Sequence, residues 1–257
     1  MATALFNDII FGPVQSRRLG VSLGINLLPT DNKICNFDCI YCECGWNNKT
    51  KAGTFPPHAI VVEALESRLT KMRDEDILPD VITFAGNGEP TVHPEFTKII
   101  DATIILRDQY SPKTKIAVLT NATMLHSQNI IDALLKIDRA ILKLDSALES
   151  TRNLINIPAK KTSTATLLEQ FSKFGDKLVM QTLFLTAENN GVVIDNTTEE
   201  EITALLAAYK QLSPSEVMIY CIDRDTPLKT ASKIPKQRMD EIAKRISALG
   251  IKVSVSY

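Results

Sequence analysis

Three cysteines lie close together in the stretch Cys35-Asn-Phe-Asp-Cys39-Ile-Tyr-Cys42, which has the spacing C-x3-C-x2-C. Cysteine thiolates hold iron–sulfur clusters, and a cluster of four irons needs a ligand on each iron. Three closely spaced cysteines can bind three irons and leave the fourth open to a small molecule. In metal sites generally, an open coordination position is typical of catalysis and a closed shell is typical of structure. The spacing therefore predicts a catalytic [4Fe–4S] cluster on these cysteines.

A structural zinc site is the main alternative for the same cysteines, with Cys44 or a histidine as the fourth ligand. Zinc knuckles favour two C-x2-4-C pairs, and the chain has no second pair. Cys44 is otherwise a redox thiol or a bystander, and Cys221, at the end of a predicted strand, is expected to pack in the core. Because clustered cysteines in an odd total are atypical of a disulfide framework, they indicate metal binding or catalysis in a reducing compartment.

The cysteine motif, with Tyr41 directly before its third cysteine, resembles the signature of the radical S-adenosylmethionine (SAM) superfamily. The segment Gly86-Asn87-Gly88-Glu89-Pro90 resembles that superfamily's glycine–glutamate–proline motif, whose backbone and acid receive the amino group of the SAM methionine moiety. The residue types agree with this, since glycines let a backbone approach a ligand, Glu89 can pair with an ammonium group, and Pro90 fixes a turn. An ordinary Gly-Pro turn is the structural alternative.

Further blocks resemble one subgroup, the small single-domain radical enzymes related to the wybutosine-synthesis family. They are 11–20, 22–26, 143–145, 181–184 and 220–224. The resemblance implies one cluster and SAM, with reductive cleavage of SAM to a 5′-deoxyadenosyl radical that abstracts hydrogen from a substrate. It also implies a reductant such as flavodoxin or ferredoxin. An RNA base is the first substrate it suggests, but no cysteine precedes Cys35 to hold that family's second cluster, so a peptide, protein or small metabolite stays open.

Several other polar residues are predicted at strand ends. The resemblance implies that Asn121 faces the cofactor, although a cap or turn role is the alternative. Lys143 and Asp145 share one face of a strand, and an inward-facing charged pair would indicate substrate or cofactor binding rather than a structural ion pair. Gln181 could point into a barrel or be bonded within the core. Arg17 and Arg18 could clamp a carboxylate or phosphate, or be solvated.

Alternating strand and helix patterns predict the fold. Strands are predicted at 21–28, 81–85, 115–120, 139–144, 177–185, 216–222 and 251–255. Helices are predicted at 59–73, 94–109, 127 onward, 164–174, 197–212 and 235–249. This alternation is typical of a parallel sheet with helices outside it, and its number of units favours a partial (β/α)6 TIM-like barrel over a doubly wound open sheet. Both folds place their chemistry at the carboxyl ends of the strands.

Length and composition indicate one domain over 1–257, with a cluster loop at 30–50 and a final helix and strand at 235–257. The net charge of -1 shows no global footprint for nucleic acid. No apolar run approaches the roughly 20 residues of a membrane span, and no signal peptide is visible, so a cytoplasmic protein is expected. A rival class is a non-enzymatic iron–sulfur or zinc protein, in which the segment 86–90 would have no role.

Overall fold

The computed structural model describes residues 5–48, 50 and 53–257. The described chain forms two compact units. The first comprises Leu5–Cys35 and Asn47–Ala140, and the second comprises Asn36–Trp46 and Ile141–Tyr257. Residue 49 of the predicted cluster loop, and residues 1–4, 51 and 52 of the predicted domain, lie outside the described residues. The single domain over 1–257 stays a prediction.

The first unit is an α/β layer built on parallel strands. Strand β2 pairs in parallel with β3, and β3 pairs in parallel with β4, while β1 forms an antiparallel hairpin with β2. Its elements are β1 (Ile10–Ser16), β2 (Gly20–Ile25), α1 (His58–Asp74), β3 (Val81–Phe84), α2 (Phe96–Tyr110), β4 (Lys115–Thr120) and α3 (Gln128–Lys136). Strand β5 (Arg139–Lys143) then carries the chain into the second unit.

Burial explains these elements. Helix α1 buries one stripe at helical spacing, formed by Val61, Leu65, Leu69 and Met72, as its sequence predicts. All four residues of β3 are buried, which is typical of a parallel strand covered on both faces. The parallel arrangement therefore brings the carboxyl ends of β2, β3 and β4 to one edge of the first unit.

The second unit repeats this pattern. Strand β6 pairs in parallel with β8, β8 pairs in parallel with β10, and the far half of β6 carries β7 and β9 as antiparallel partners. Its elements are α4 (Glu149–Asn156), α5 (Thr164–Ser172), β6 (Leu178–Asn189), β7 (Val192–Asp195), α6 (Glu199–Leu212), β8 (Glu216–Cys221), β9 (Ser232–Lys233), α7 (Lys236–Ser247) and β10 (Lys252–Ser256).

The predicted fold class, an α/β partial barrel with a parallel sheet, is confirmed. Four elements escaped the sequence prediction: β1, α4, β7 and β9. Strand β1 shows no alternating apolar pattern, because most of its residues are partly or fully exposed. The first predicted strand, 21–28, is too long, since the Asn26 side chain accepts a hydrogen bond from the Leu28 N–H and turns the chain after Ile25. No helix of the described residues is long and apolar enough to cross a membrane.

Candidate active site

The loop that carries Cys39 and Cys42 is fixed to the core of the second unit. The backbone N–H of Ile40 donates to the Ile155 carbonyl at 2.9 Å, and the N–H of Asp38 donates to the Asn156 carbonyl at 3.0 Å. Cys39, Ile40 and Tyr41 are buried in an apolar cluster with residues of α4, β6 and β7. The backbone on both sides of Cys39 is therefore held by α4 and the residues around it.

Tyr41 joins the two charged residues that the sequence places at the end of β5. Its hydroxyl donates to Asp145 Oδ2 at 2.5 Å and accepts from Lys143 Nζ at 2.7 Å. The Lys143 ammonium also lies 4.9 Å from the centre of the Tyr41 ring and 3.8 Å from Cys39 Sγ. Lys143 and Asp145 are thus connected through the Tyr41 hydroxyl. The Lys143 ammonium is also within hydrogen-bond distance of the Cys39 sulfur.

Burial and charge set the protonation states of this group. Burial, followed by the neighbouring Asp145 carboxylate, raises the pKa of Tyr41 well above its ordinary value, so the phenol is neutral. Burial alone would lower the pKa of Lys143, but the negative charges of Cys39 and Asp145 outweigh it and hold that pKa above its usual range. Lys143 is therefore a partly buried cation that lies close to a cysteine sulfur and to the tyrosine that binds a carboxylate.

Asn156, at the end of α4, is a site residue that sequence reasoning missed. Its side-chain amide is buried and donates to Cys39 Sγ at 3.4 Å and to Asp145 Oδ2 at 2.7 Å. The remaining oxygen of Asp145 accepts the backbone N–H of Leu183 at 3.0 Å. No spacing rule links Asn156 to the cysteines, since 117 positions separate it from Cys39; only the fold brings them together.

In the first unit, the segment from Gly86 to Pro90 is tied to the chain just before Cys35. The Ile34 N–H donates to the Asn87 carbonyl at 2.9 Å, and the Glu89 N–H donates to the Ile34 carbonyl at 3.1 Å. The Asn87 side chain donates to the carbonyls of Phe6 and Pro29. The glycine–glutamate–proline segment and the approach to Cys35 therefore form one hydrogen-bonded piece of structure.

Gly88 permits this close approach. It has a φ of 138°, and a Cβ built on it would lie 1.8 Å from the Ile34 carbonyl oxygen. At Gly86, an added Cβ would lie 2.3 Å from Asn26 Oδ1. The two glycines thus make room for neighbouring parts of this chain, and the close approach of a bound ligand to them stays a prediction.

Glu89 is a buried carboxylate that gathers four donors. Its Oε1 accepts from the Thr91 N–H at 3.2 Å, the Thr91 hydroxyl at 2.5 Å and the Thr120 hydroxyl at 2.6 Å, and its Oε2 accepts from the Asn121 N–H at 2.7 Å. Burial raises the pKa of Glu89, although the hydrogen bonds from Asn121, Thr120 and Thr91 oppose that shift. The carboxylate therefore links the turn after β3 to the end of β4.

Asn121 extends this network to the first cysteine. Its Nδ2 lies 3.6 Å from Cys35 Sγ, and its Oδ1 accepts from the N–H and hydroxyl of Thr123. The Cys35 backbone is held from the other side by Asn47, whose Oδ1 accepts the Cys35 N–H at 3.1 Å. Asn121 therefore lies beside Cys35 within the first unit, while its predicted contact with the cofactor stays a prediction.

Among the described residues, the buried side-chain nitrogen of Asn26 has no hydrogen-bond partner, and Asn26 lies beside Gly86 and Asn87. Asn26, fully buried after β2, accepts the N–H groups of Asn87 and Leu28 through Oδ1. Its Nδ2 has no hydrogen-bond partner among the described residues. Since burying an unpaired amide donor costs on the order of 1–3 kcal/mol, this atom is suited to a bound acceptor such as the carboxylate or hydroxyls of SAM.

The donor set fits an iron–sulfur cluster. Cys35, Cys39 and Cys42 are not in disulfides, and amide or ammonium groups donate toward the sulfurs of Cys35 and Cys39. Hydrogen bonds to cysteine sulfur stabilise the thiolate and tune cluster potential. Within each unit by itself, the described residues bring no three cysteine, histidine or acidic side chains together as a metal site. Ligation by all three cysteines therefore stays a prediction.

The remaining candidates differ in burial and partners. Gln181 is buried within β6, where its carbonyl accepts the Leu144 N–H at 2.9 Å, and its cofactor role stays a prediction. Cys44 is partly exposed. Cys221 is buried with its thiol 3.8 Å from the Ser256 carbonyl, as expected for a packing residue. Arg224 forms an exposed ion pair with Glu43 at 2.9 Å.

Comparison with known proteins gives this arrangement its class. The model of the radical SAM superfamily matches residues 31–207, more than half of the 257 residues, so the chain belongs to this superfamily of enzymes. The predicted family is thereby confirmed, and membership implies SAM and a [4Fe–4S] cluster as cofactors.

Among curated proteins, the chain is similar to the "UPF0026 protein" of Methanocaldococcus jannaschii. The two are 32% identical over 248 residues, which cover 94% of this chain and 70% of that protein. The "UPF0026 protein" of Helicobacter pylori strain 26695 is 29% identical over 92% of this chain and 72% of its own length. "GTPase Obg" of Brachyspira hyodysenteriae is 27% identical over 93% of this chain, but the match spans only 33% of that protein.

Solved structures show the same fold. A radical SAM methyltransferase from Sphaerobacter thermophilus has a TM-score of 0.66 and 15% identity, over 91% of this chain and 65% of that chain. Streptococcus suis SuiB bound to the precursor peptide SuiA has a TM-score of 0.63 and 14% identity, over 91% of this chain and 48% of that chain. TYW1 with a lysine-pyruvate adduct has a TM-score of 0.62 and 16% identity, over 88% of this chain and 73% of that chain. At these identities the likeness concerns the fold alone.

Proposed function

We propose that this chain binds one [4Fe–4S] cluster through Cys35, Cys39 and Cys42 and uses it in radical SAM chemistry. The observation that carries the proposal is that the superfamily match spans all three cysteines, two of which receive side-chain N–H donors on their sulfurs. When bound, the cluster would supply the electron that cleaves SAM to a 5′-deoxyadenosyl radical, which abstracts hydrogen from the substrate.

The protein's own part in this chemistry is to stabilise charge on sulfur. Asn121 donates to Cys35, and Asn156 and Lys143 donate to Cys39. The Lys143 cation, itself half-buried, balances thiolate charge on the buried Cys39, where an unpaired charge would be disfavoured. Tyr41 and Asp145 hold Lys143 and Asn156 in these positions, so we assign all four a role in setting the potential of the cluster.

SAM would be held by the first unit. A carboxylate oxygen can accept two hydrogen bonds, and Glu89 Oε2 accepts one, from Asn121. Its second lone pair can take the ammonium of the methionine moiety, as the resemblance implies. Asn26 Nδ2 supplies a donor, and the backbone from Gly86 to Pro90 supplies the rigid turn between them.

An RNA base is the first substrate to test, with a low-potential carrier such as flavodoxin or ferredoxin as the reductant. The resemblance to wybutosine-related enzymes supports this choice, and the fold of TYW1 is consistent with it. A peptide is the second, since SuiB, which shares the fold, is bound to a precursor peptide. Binding of bulk tRNA at two salt concentrations distinguishes an RNA substrate from a peptide substrate. An RNA substrate predicts binding that weakens steeply with salt, because phosphate contacts are lost.

Product analysis tests the proposed reaction. Protein reconstituted anaerobically with iron and sulfide is expected to release 5′-deoxyadenosine and methionine from SAM when dithionite is added. Cys42→Ala should abolish release, and Cys44→Ala, a matched loss of a nearby thiol, should not. Release from Cys42→Ala at the wild-type rate would exclude the proposed ligand set.

A further inference from the structure

A basic cavity lies in the first unit, and no cysteine is among its described lining residues. It has a volume of about 500 Å³, and Arg18, Lys113, Lys115 and Arg139 line it together with a single carboxylate, Asp80. Such a volume is in the range of small-molecule sites. The described lining thus carries four basic side chains and one acidic side chain, in a chain whose net charge is -1.

The cavity lies at the amino ends of the strands. Lys115 opens β4 and Arg139 opens β5, whereas Thr120, at the other end of β4, contacts Glu89. Six residues of strand separate these ends by about 16 Å. A ligand in the cavity would therefore not contact the Glu89 network, so this inference is independent of the proposed radical chemistry.

The framework of the cavity is fixed. Asp80 accepts the Val21 N–H through Oδ2 at 2.7 Å, and its carbonyl accepts the Lys115 N–H at 3.0 Å. The buried Thr114 hydroxyl donates to the Pro79 carbonyl at 2.6 Å. Asp80 thus connects the start of β2 to the start of β4 on the wall of the cavity.

The lysines are available to a ligand. Both Lys113 and Lys115 are exposed, and neither has an acidic side chain within ion-pair distance among the described residues. Arg18 and Arg139 are half-buried, and their guanidinium groups have the planar fork that matches phosphate oxygens. Like charges gathered on a concave surface repel one another, and a polyanion relieves that repulsion.

We propose that this cavity binds the phosphate groups of a nucleotide. Apolar Leu19, Leu78 and Val81 line the same cavity and offer a surface for a base. Four basic side chains around one cavity match an oligophosphate better than a monocarboxylate. The nucleotide can be free or part of an RNA chain, and the chemistry that recognises it is the same.

The test compares three probes on the full chain: tripolyphosphate and ATP by calorimetry, and a labelled 12-nucleotide single-stranded RNA by fluorescence anisotropy. The double variant Lys113→Gln/Lys115→Gln should weaken the probe that binds by at least about tenfold, as expected for lost charge-assisted hydrogen bonds. The matched control, Lys210→Gln/Lys244→Gln, removes the same charge from exposed positions on α6 and α7 and should change affinity less than twofold.

The three probes distinguish the source of the phosphate. ATP binding tighter than tripolyphosphate identifies a free nucleotide. Binding of the RNA but of neither small probe identifies a polynucleotide. In that case the slope of log affinity against log salt concentration should fall in magnitude by about 1.4 in the double variant. The proposal is overturned if no probe binds the wild type at 50 mM salt, or if the cavity variant and the control bind equally. Arg139→Lys keeps the positive charge but loses the planar guanidinium fork. Its affinity for the probe should therefore lie between the affinities of the wild type and the double variant.

Discussion

The side-chain amide of Asn156 donates to Cys39 Sγ at 3.4 Å and to Asp145 Oδ2 at 2.7 Å, so one buried residue connects a cysteine of the motif to the carboxylate that holds Tyr41. Hydrogen bonds to cluster sulfurs raise the reduction potential by stabilising added negative charge. Asn156 is therefore expected to tune the cluster without ligating it.

Asn156→Ala should lower the midpoint potential of the cluster by on the order of 50 mV, since about 1 kcal/mol of lost hydrogen bonding corresponds to a shift of that size for one electron. A redox titration followed by electron paramagnetic resonance measures this shift. Asn153→Ala, on the same helix, is the control and should leave the potential unchanged. Equal potentials in Asn156→Ala and wild type, with equal iron content, would refute this role.

Gly88→Ala should prevent normal cluster assembly. The new Cβ would lie 1.8 Å from the Ile34 carbonyl oxygen, so the backbone that leads into Cys35 must move. Iron per chain after reconstitution should fall by more than half. Gly191→Ala is a matched control, because Gly191 also has a positive φ, of 78°, but has no atom within 4 Å of the added Cβ. Wild-type iron content in Gly88→Ala would contradict this account.

The sequence predicts the main elements and the chemistry because both rest on local patterns. The C-x3-C-x2-C spacing is contiguous, and the stripe of α1 repeats at helical spacing. Asn156 and Asn26 could not be predicted in the same way. Each is a common residue type whose meaning comes from its partners, and those partners lie 117 and 61 positions away, at Cys39 and Asn87.

The glycines of the Gly86–Pro90 segment show a second limit of the sequence. Their types correctly indicate a close approach, but a sequence cannot say what approaches. The structure places Asn26 beside Gly86 and the Ile34 carbonyl beside Gly88. In the same way, the sequence indicates only that Glu89 can pair with an ammonium group. In the fold, its carboxylate already accepts hydrogen bonds from four donors.

Asn26→Asp should weaken SAM binding by about tenfold or more. The substitution keeps the acceptor for the Asn87 and Leu28 N–H groups and replaces the unpartnered Nδ2 by an oxygen, which cannot donate to SAM when ionised. Equilibrium dialysis with reconstituted protein measures the affinity. Asn129→Asp, an exposed change of equal charge on α3, should bind SAM as the wild type does. An unchanged affinity in Asn26→Asp would remove Asn26 from the cofactor site.

His93 should make the fold sensitive to mild acid. Its Nδ1 accepts the Glu95 N–H at 3.0 Å, so its Nε2 carries the proton and donates to the Pro56 carbonyl at 2.9 Å. Burial lowers the pKa of His93. The unfolded chain therefore binds a proton that the folded chain resists, and stability is lost as the pH falls below about 6.5.

Urea unfolding from about pH 7.5 to pH 5.5 measures this effect. His93→Gln should flatten the decline in the free energy of unfolding, because glutamine keeps one donor and one acceptor but does not titrate. His126→Gln, at an exposed histidine, should leave the wild-type slope intact. Parallel pH profiles for the wild type and His93→Gln would show that His93 does not control this stability.

We propose that Cys35, Cys39 and Cys42 hold a cluster whose remaining iron is open to SAM. Electron paramagnetic resonance of the reconstituted, dithionite-reduced protein reports on that open iron. The reduced protein should show a [4Fe–4S] signal that shifts on addition of SAM and is lost in the Cys39→Ala variant. A signal that is identical with and without saturating SAM would contradict it.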